Sequence, residues 1–410
     1  MKELLLIVVT GFVFLTTGIE NTLAENWPQW RGPRGDGTSM ETNLPVKWDS
    51  VTSVIWKSPV PGFGHSSPMV WEDRLFTLTA LPESNEKALL CYDCKNGKLL
   101  WQKTVVKTPF EGKHNDNSFA SGTPSTDGKL VYLSFLEGDD VLVAAYDFSG
   151  REVWTQRPGK FSSPHGFSCS PVIYKDMVII NGNSKGESFM AALNRSDGKT
   201  VWKVPHNNPA HSFSTPIFRE IAGRLQMIFL GNKEVGSYNP NDGSRYWFVT
   251  GPSEDFCSSP VYSEKAGLIL ISSAWPQRHI LAIKPDGSGD VSATHVAWRS
   301  TEGAVYVPSP VVAGDYLIST MTNGTVYCTE IATGKILWKE NLGRQYPSGV
   351  TANGLVYLPN DAGMITVIKP GPVFEVVAKN NMGERMNASP ALSNGRIYIR
   401  TSKNLYCIGK

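Results

Sequence analysis

The stretch SPVVAGDYLISTMTNGTVYCTEIATGKILWK, residues 309–339, decides the fold. Ser309-Pro310 leads into Val311-Val312 and a turn at Ala313-Gly314-Asp315. A strand from Tyr316 to Met321 follows, then a turn at Thr322-Asn323-Gly324. A third strand, Thr325 to Glu330, reaches the turn Ala332-Thr333-Gly334-Lys335, and Ile336-Leu337-Trp338-Lys339 makes a fourth. Short apolar runs separated by Asn-Gly and Gly-Asp turns are hairpin chemistry, because those residues accept the positive φ of a tight reversal.

The same unit recurs outward in both directions. Its Ser/Thr-Pro opening stands at Ser67-Pro68, Thr123-Pro124, Ser170-Pro171, Thr215-Pro216, Ser259-Pro260 and Ser389-Pro390, with Ser348-Gly349 as a degenerate copy. A spacing of roughly 40 to 55 residues suits one four-stranded blade per copy. The fourth strand carries a tryptophan at Trp101, Trp154, Trp202, Trp247, Trp298 and Trp338, and Phe374 takes that place in the seventh copy. Gly97, Gly150, Gly198, Gly243 and Gly334 precede most of these by three or four residues. A large flat side chain at a fixed point of every unit suits packing between neighbouring units.

Counting strands predicts how the array ends. Eight first strands have only seven fourth strands after them, and the last copy stops at Leu405-Tyr406-Cys407-Ile408. The missing strand lies at the other terminus, where Val54-Ile55-Trp56-Lys57-Ser58 matches Ile336 to Glu340. The expected fold is therefore all-β: an eight-bladed β-propeller of four-stranded antiparallel blades, its last blade closed by the N-terminal strand. Closure removes the open edges of a linear array. The expected division is a signal peptide at 1–24, an irregular segment at 25–53, and one propeller domain at 54–410.

The N-terminal residues read as an export signal. Lys2 precedes an apolar run from Leu4 to Leu15, and Thr22-Leu23-Ala24 offers small residues before Glu25. The run is short for a membrane span. No cysteine stands near the cleavage region, so a lipoprotein is not expected; the protein is expected in the periplasm or secreted, as a monomer. Net charge is +2, and losing Lys2, Glu3 and Glu20 with the signal makes it +3. The charges are scattered, which argues against nucleic acid as a partner. The six cysteines do not form a disulfide framework for a core this large. Cys91-Tyr92-Asp93-Cys94 ends a strand pattern rather than opening a helix, and residues i and i+3 of a strand lie about 10 Å apart. Buried free thiols are expected.

A third strand ending near Asp, then Thr/Asp-Gly, then Trp resembles the tryptophan-docking repeat of the pyrroloquinoline-quinone-like (PQQ-like) propellers. Ala145-Tyr146-Asp147, Gly150 and Trp154 show it, as do Glu330, Thr333-Gly334 and Trp338. The resemblance runs from about residue 54 to the end. Trp27-Pro28-Gln29-Trp30-Arg31-Gly32-Pro33, with Gly35 and Gly37, is similar to the N-terminal signature of an exported subgroup found in planctomycete-like bacteria. Two branches share the repeat: quinoprotein alcohol and glucose dehydrogenases, and BamB, the lipoprotein scaffold of the outer-membrane barrel-assembly machine. The dehydrogenase branch implies PQQ, a calcium ion bound by oxygens, an acidic base, aromatic walls and, in the alcohol dehydrogenases, a disulfide between adjacent cysteines. This chain has no adjacent cysteine pair.

Propeller topology places any site on the face where the first strands begin. The candidate pocket residues are His65, His165, His211, Asp255, Trp275, Arg344 and Arg385. His65, His165 and His211 fall at comparable loop positions of blades 1, 3 and 4, which suits a polar pocket for a small anionic or hydroxylated ligand or simply exposed loop histidines. Trp275 suits a stacking platform or an ordinary loop aromatic. The absence of His-x-His and His-x-x-x-His spacing means that no metal site is expected. No nucleophile elbow, phosphate loop or His-Glu-x-x-His helix is present. The expected function is a binding or scaffold module for protein, peptide or glycan partners of the cell envelope. The alternative is a PQQ- and calcium-dependent dehydrogenase of alcohols or sugars.

Overall fold

The computed structural model describes residues 24–251 and 253–409, so the apolar run Leu4 to Leu15 and its cleavage region lie outside the described residues. The chain forms eight four-stranded antiparallel sheets in chain order, and the only helical element among the described residues is a single 3-10 turn at Pro82–Ser84. The sixth blade shows the local logic: Val311–Ala313, Tyr316–Thr320, Thr325–Glu330 and Ile336–Asn341 pair consecutively. The eighth is built from Ala391–Ser393, Arg396–Arg400, Asn404–Ile408 and, at its outer edge, Val54–Pro59. The termini therefore share one sheet, as the strand count requires.

Burial follows position in the blade. Second and third strands such as Arg74–Leu81 and Glu86–Asp93 are buried along their length except at the ends. Their sheets are covered on both faces by neighbouring blades, so they read as apolar runs rather than alternations. Fourth strands such as Glu152–Gln156 are mostly open to solvent.

The recurrent tryptophans join the blades. Each indole N–H donates across a blade boundary: Trp101 to the Phe148 carbonyl at 3.1 Å, Trp154 to Arg195 at 2.9 Å, Trp298 to Ile331 at 2.8 Å, and Trp338 to Gly371 at 2.9 Å. Trp56 makes the same bond to the Cys94 carbonyl of the first blade at 2.9 Å. The paired glycine belongs to the next blade along. A Cβ on Gly97, whose φ is +73°, would lie 2.5 Å from the Trp56 ring.

The Ser/Thr of the opening motif forms a second, inner ring, bonded at seven of its eight junctions among the described residues. The N–H of Ser67 donates to Thr123 Oγ1 at 3.0 Å, and Thr123 N–H to Ser170 Oγ at 2.9 Å. Thr215, Ser259, Ser309 and Ser348 donate in turn to Ser259, Ser309, Ser348 and Ser389 at 2.9 Å each. Ser389 N–H returns to Ser67 Oγ at 3.0 Å. The following proline fixes an extended approach and offers no competing N–H.

Two features go beyond the regular repeat. Gly289–Asp290, inserted before the last strand of the fifth blade, pairs in parallel with Arg245–Thr250 and gives the fourth blade a fifth strand. In addition, His211–Ser212 and Asp255–Phe256 form a short parallel pair between the loops leading into the fourth and fifth blades.

The segment before Val54 crosses the face opposite those loops. Trp27 pairs with Val70 of the first blade, and the Pro28 carbonyl accepts from Thr126 N–H of the second at 2.8 Å. Arg31 is buried and donates to the Pro310 carbonyl of the sixth at 2.6 Å. Gly37 and Ser39 exchange backbone bonds with Thr351 of the seventh at 2.8 Å, and Glu41 accepts from Gly395 N–H of the eighth at 2.6 Å. Gly37 has no room for a side chain: φ is +84°, and a Cβ would lie 2.9 Å from Arg31 Nη2 and 3.1 Å from the Gly349 carbonyl.

Candidate functional site

The site is a funnel of about 380 Å³ at the mouth of the central channel. Its wall follows from the repeat register. The residues two places before the opening Ser/Thr are His65, Ser121, Ser168, Phe213, Cys257, Val307, Tyr346 and Asn387, and all eight line the funnel. In extended backbone, residues i and i−2 face the same side, and Ser67, Ser170, Thr215, Ser348 and Ser389 line it too. Trp30 of the N-terminal segment also lines this cavity, so that segment floors the channel from the far face.

The histidines occupy three levels. His65 lies at the wall, where burial and then Arg400 hold its imidazole down to about pKa 3. His165 also lines the funnel, and burial lowers its pKa below the usual value. Its ring lies 6.1 Å from His114 and 5.7 Å from His211, measured between centroids. His211 and Asp255 lie beneath, with side chains only 3% and 5% exposed. Their Nδ1 and Oδ1 atoms are 2.9 Å apart. The parallel pair between the two lead-in loops creates this contact by setting His211 directly opposite Asp255. His211 Nε2 is buried with no hydrogen-bond partner. One donor atom from each of His165, His211 and Asp255 lies within 4.8 Å of the other two.

The other candidates are arranged differently. Arg344 stands at the rim, 2.9 Å from Asp116 and 3.6 Å from Asp361. It also donates to the Tyr346 hydroxyl at 2.9 Å, and that hydroxyl donates to Asp116 at 2.7 Å. Asp361 is desolvated, and burial raises its carboxyl to about pKa 6. Trp275 is 57% exposed beside the funnel rather than in its wall; its carbonyl accepts from Glu254 N–H at 3.0 Å and its backbone bridges Asp255. Arg385 is exposed outside the lining. The three histidines are not equivalent: they stand two, five and four residues before their Ser/Thr, so their side chains differ in depth.

Phe213, Cys257, Tyr306 and Tyr346 are wall residues that a search for charged loop residues passes over. The two-residue offset is the signal that finds three of them; Tyr306 stands three residues before Ser309 and lies off that register. All six cysteines are free thiols, and burial pushes Cys91, Cys94 and Cys257 up to about pKa 12.

A family model described as "Outer membrane protein assembly factor BamB" matches residues 85–340 and 278–409. The chain belongs to this family. Outer membrane protein assembly factor BamB of Yersinia pestis is 21% identical over 322 residues, covering 78% of this chain and 69% of its own. The quinohemoprotein alcohol dehydrogenase ADH IIB of Pseudomonas putida is 23% identical over 311 residues, covering 66% of this chain but 42% of the dehydrogenase. Among solved structures, BamB from Moraxella catarrhalis superposes with a TM-score of 0.60 at 14% identity, covering 86% of this chain and 96% of that one. A europium-containing methanol dehydrogenase superposes with 0.66 at 12% identity, covering 92% and 90%. At such identities the superpositions establish the fold alone, which both BamB-type and dehydrogenase chains share.

The lining separates the two branches on chemistry. Calcium takes six to eight oxygen ligands, usually several carboxylates. Among the described residues lining this BamB-family funnel, Asp116 is the one carboxylate, and Arg344 and Tyr346 already hold it. The residues present do not fit a calcium-bound quinone. No helix among the described residues is long and apolar enough to cross a membrane.

Proposed function

We propose that this chain is an exported binding propeller that receives an extended segment of an envelope protein in its blind funnel. The observation that carries this reading is the wall itself. Each blade contributes the side chain two places before its Ser/Thr, and these eight are imidazole, hydroxyl, aromatic, amide, thiol and aliphatic, while the one carboxylate of the lining, Asp116, is internally paired. Such a wall suits the alternating backbone amides and neutral side chains of a peptide: aromatics supply area, and hydroxyls adapt their hydrogen bonds. The volume admits a few residues, so the rim and neighbouring loops carry the remaining contact. Membership of the family named for outer-membrane protein assembly supports a protein rather than a glycan as the partner.

The test is site-specific photo-crosslinking in the native host, with the reactive group at Val307 of the wall. Capture of a discrete envelope protein, weakened by the double substitution F213A/Y346A, is the expected result. Turnover of alcohols or aldoses by the purified chain supplied with PQQ and calcium, without such a crosslink, would overturn it.

A further inference from the structure

We propose that His165, His211 and Asp255 hold a divalent transition-metal ion, of which zinc is the chemical type, below the wall of the funnel. The three donors already lie within 4.8 Å of one another. Ligands about 2.0–2.1 Å from a tetrahedral zinc stand roughly 3.4 Å apart, so the trio needs a closure of about an ångström. His165 supplies that movement: it is half-buried, and among the described residues its ring nitrogens make no hydrogen bond.

The second observation is independent of the clustering. His211 is nine-tenths or more buried, yet its Nε2 has no partner. A buried imidazole nitrogen without a partner has lost its water hydrogen bond and gained nothing in exchange. Its other nitrogen lies against a buried carboxylate at 2.9 Å, the arrangement that orients a metal-binding histidine. Binding through Nε2 keeps Asp255 as the orienting group, whereas binding through Nδ1 makes Asp255 a ligand. In the first mode His165 and His211 are the protein ligands and Asp255 positions His211; in the second Asp255 is the third ligand.

The donor set selects the ion. Two imidazoles, with a carboxylate as third ligand or as orienting group, suit zinc and its neighbours, whereas calcium and magnesium demand oxygens. The nearby lysines do not compete for Asp255, since Glu254 takes Lys233 at 3.3 Å and Lys185 at 4.0 Å. His165 also lines the funnel, so coordination positions left open by the protein face the cavity. An oxygen or nitrogen of whatever occupies the funnel can complete the shell. The site does not depend on the capture of a protein segment, and its test involves none.

Mature protein purified without a polyhistidine tag is freed of metal and titrated calorimetrically with zinc chloride. Cobalt chloride gives a parallel visible spectrum as a geometric readout. The expected result is one equivalent bound, a four- or five-coordinate cobalt spectrum, and loss of saturable binding in H165A, which removes a ligand. H211A removes binding but sits in the core and serves only if its metal-free melt is cooperative. H165A, whose ring takes no hydrogen bond among the described residues, keeps the parental metal-free melt. H295A, at the half-buried contact with Asp286 outside the funnel, binds as the parent does. Absence of saturable binding in the parent, or equal affinity in parent and H165A, would overturn the assignment.

Discussion

His65 and His206 show how a single side chain couples this fold to pH. His206 is buried, and its Nδ1 lies 2.6 Å from Asn183 Oδ1 while its Nε2 has no partner. Burial, then Arg245, lowers its pKa to about 4, and burial, then Arg400, lowers that of His65 to about 3. Both values lie below the roughly 6.5 of an unfolded chain, so the unfolded state binds more protons between the two. Stability is therefore fully present above pH 6.5 and is lost as pH falls toward 4 and 3. We expect the unfolding free energy from urea titrations to drop from pH 7 to pH 5, by up to roughly 1 kcal/mol per pH unit for each histidine. The slope should shrink in H206Q. An unfolding free energy independent of pH across that window would show that these imidazoles are not held neutral.

Between elements, the inner ring of hydroxyls sets how blades meet. Ser309 accepts the Ser259 N–H at 2.9 Å and donates its own to Ser348. S309A leaves a buried N–H unpaired, which costs roughly 1–3 kcal/mol, whereas S309T keeps the acceptor. Equilibrium denaturation of the two variants checks this, and equal stability of S309A and parent would show that the ring contributes nothing. The same ring places the residue two positions earlier at the funnel wall, so structure and site share one register. That register was open to a reader of the sequence. The pairing of His211 with Asp255 was less so: both stand four places before their Ser/Thr in consecutive blades, but only the parallel pairing of the two lead-in loops turns that shared position into a contact.

At the scale of the molecule, closure joins ends that are far apart in the chain. Val54–Pro59 completes the eighth sheet, Trp56 reaches the first blade, and buried Arg400 of the eighth donates to Ser66, Thr77 and Leu78 of the first at 3.1, 2.8 and 2.6 Å. Deleting residues 25–60 would expose the Asn404–Ile408 edge and remove the channel floor. We expect that truncation to aggregate and W56A to lose about 3–5 kcal/mol of stability, read by light scattering and thermal melting. A soluble truncation with one cooperative melt would show that the ring does not need its N-terminal strand.

What the sequence determined by itself was everything that repeats. Strand order and tryptophan docking each leave eight or nearly eight copies, a periodic signal survives the weakness of any one of them, and the blade number and the single terminal closure follow from counting those copies. The two-residue offset of the wall belongs to this class. What only the tertiary structure decided occurs once: the floor made by Trp30, the Asp116–Arg344–Tyr346 network, and the convergence of His165, His211 and Asp255. These contacts join loops from different blades. Spacing along a chain does not by itself show such contacts, since the ring, rather than the local backbone, brings them together.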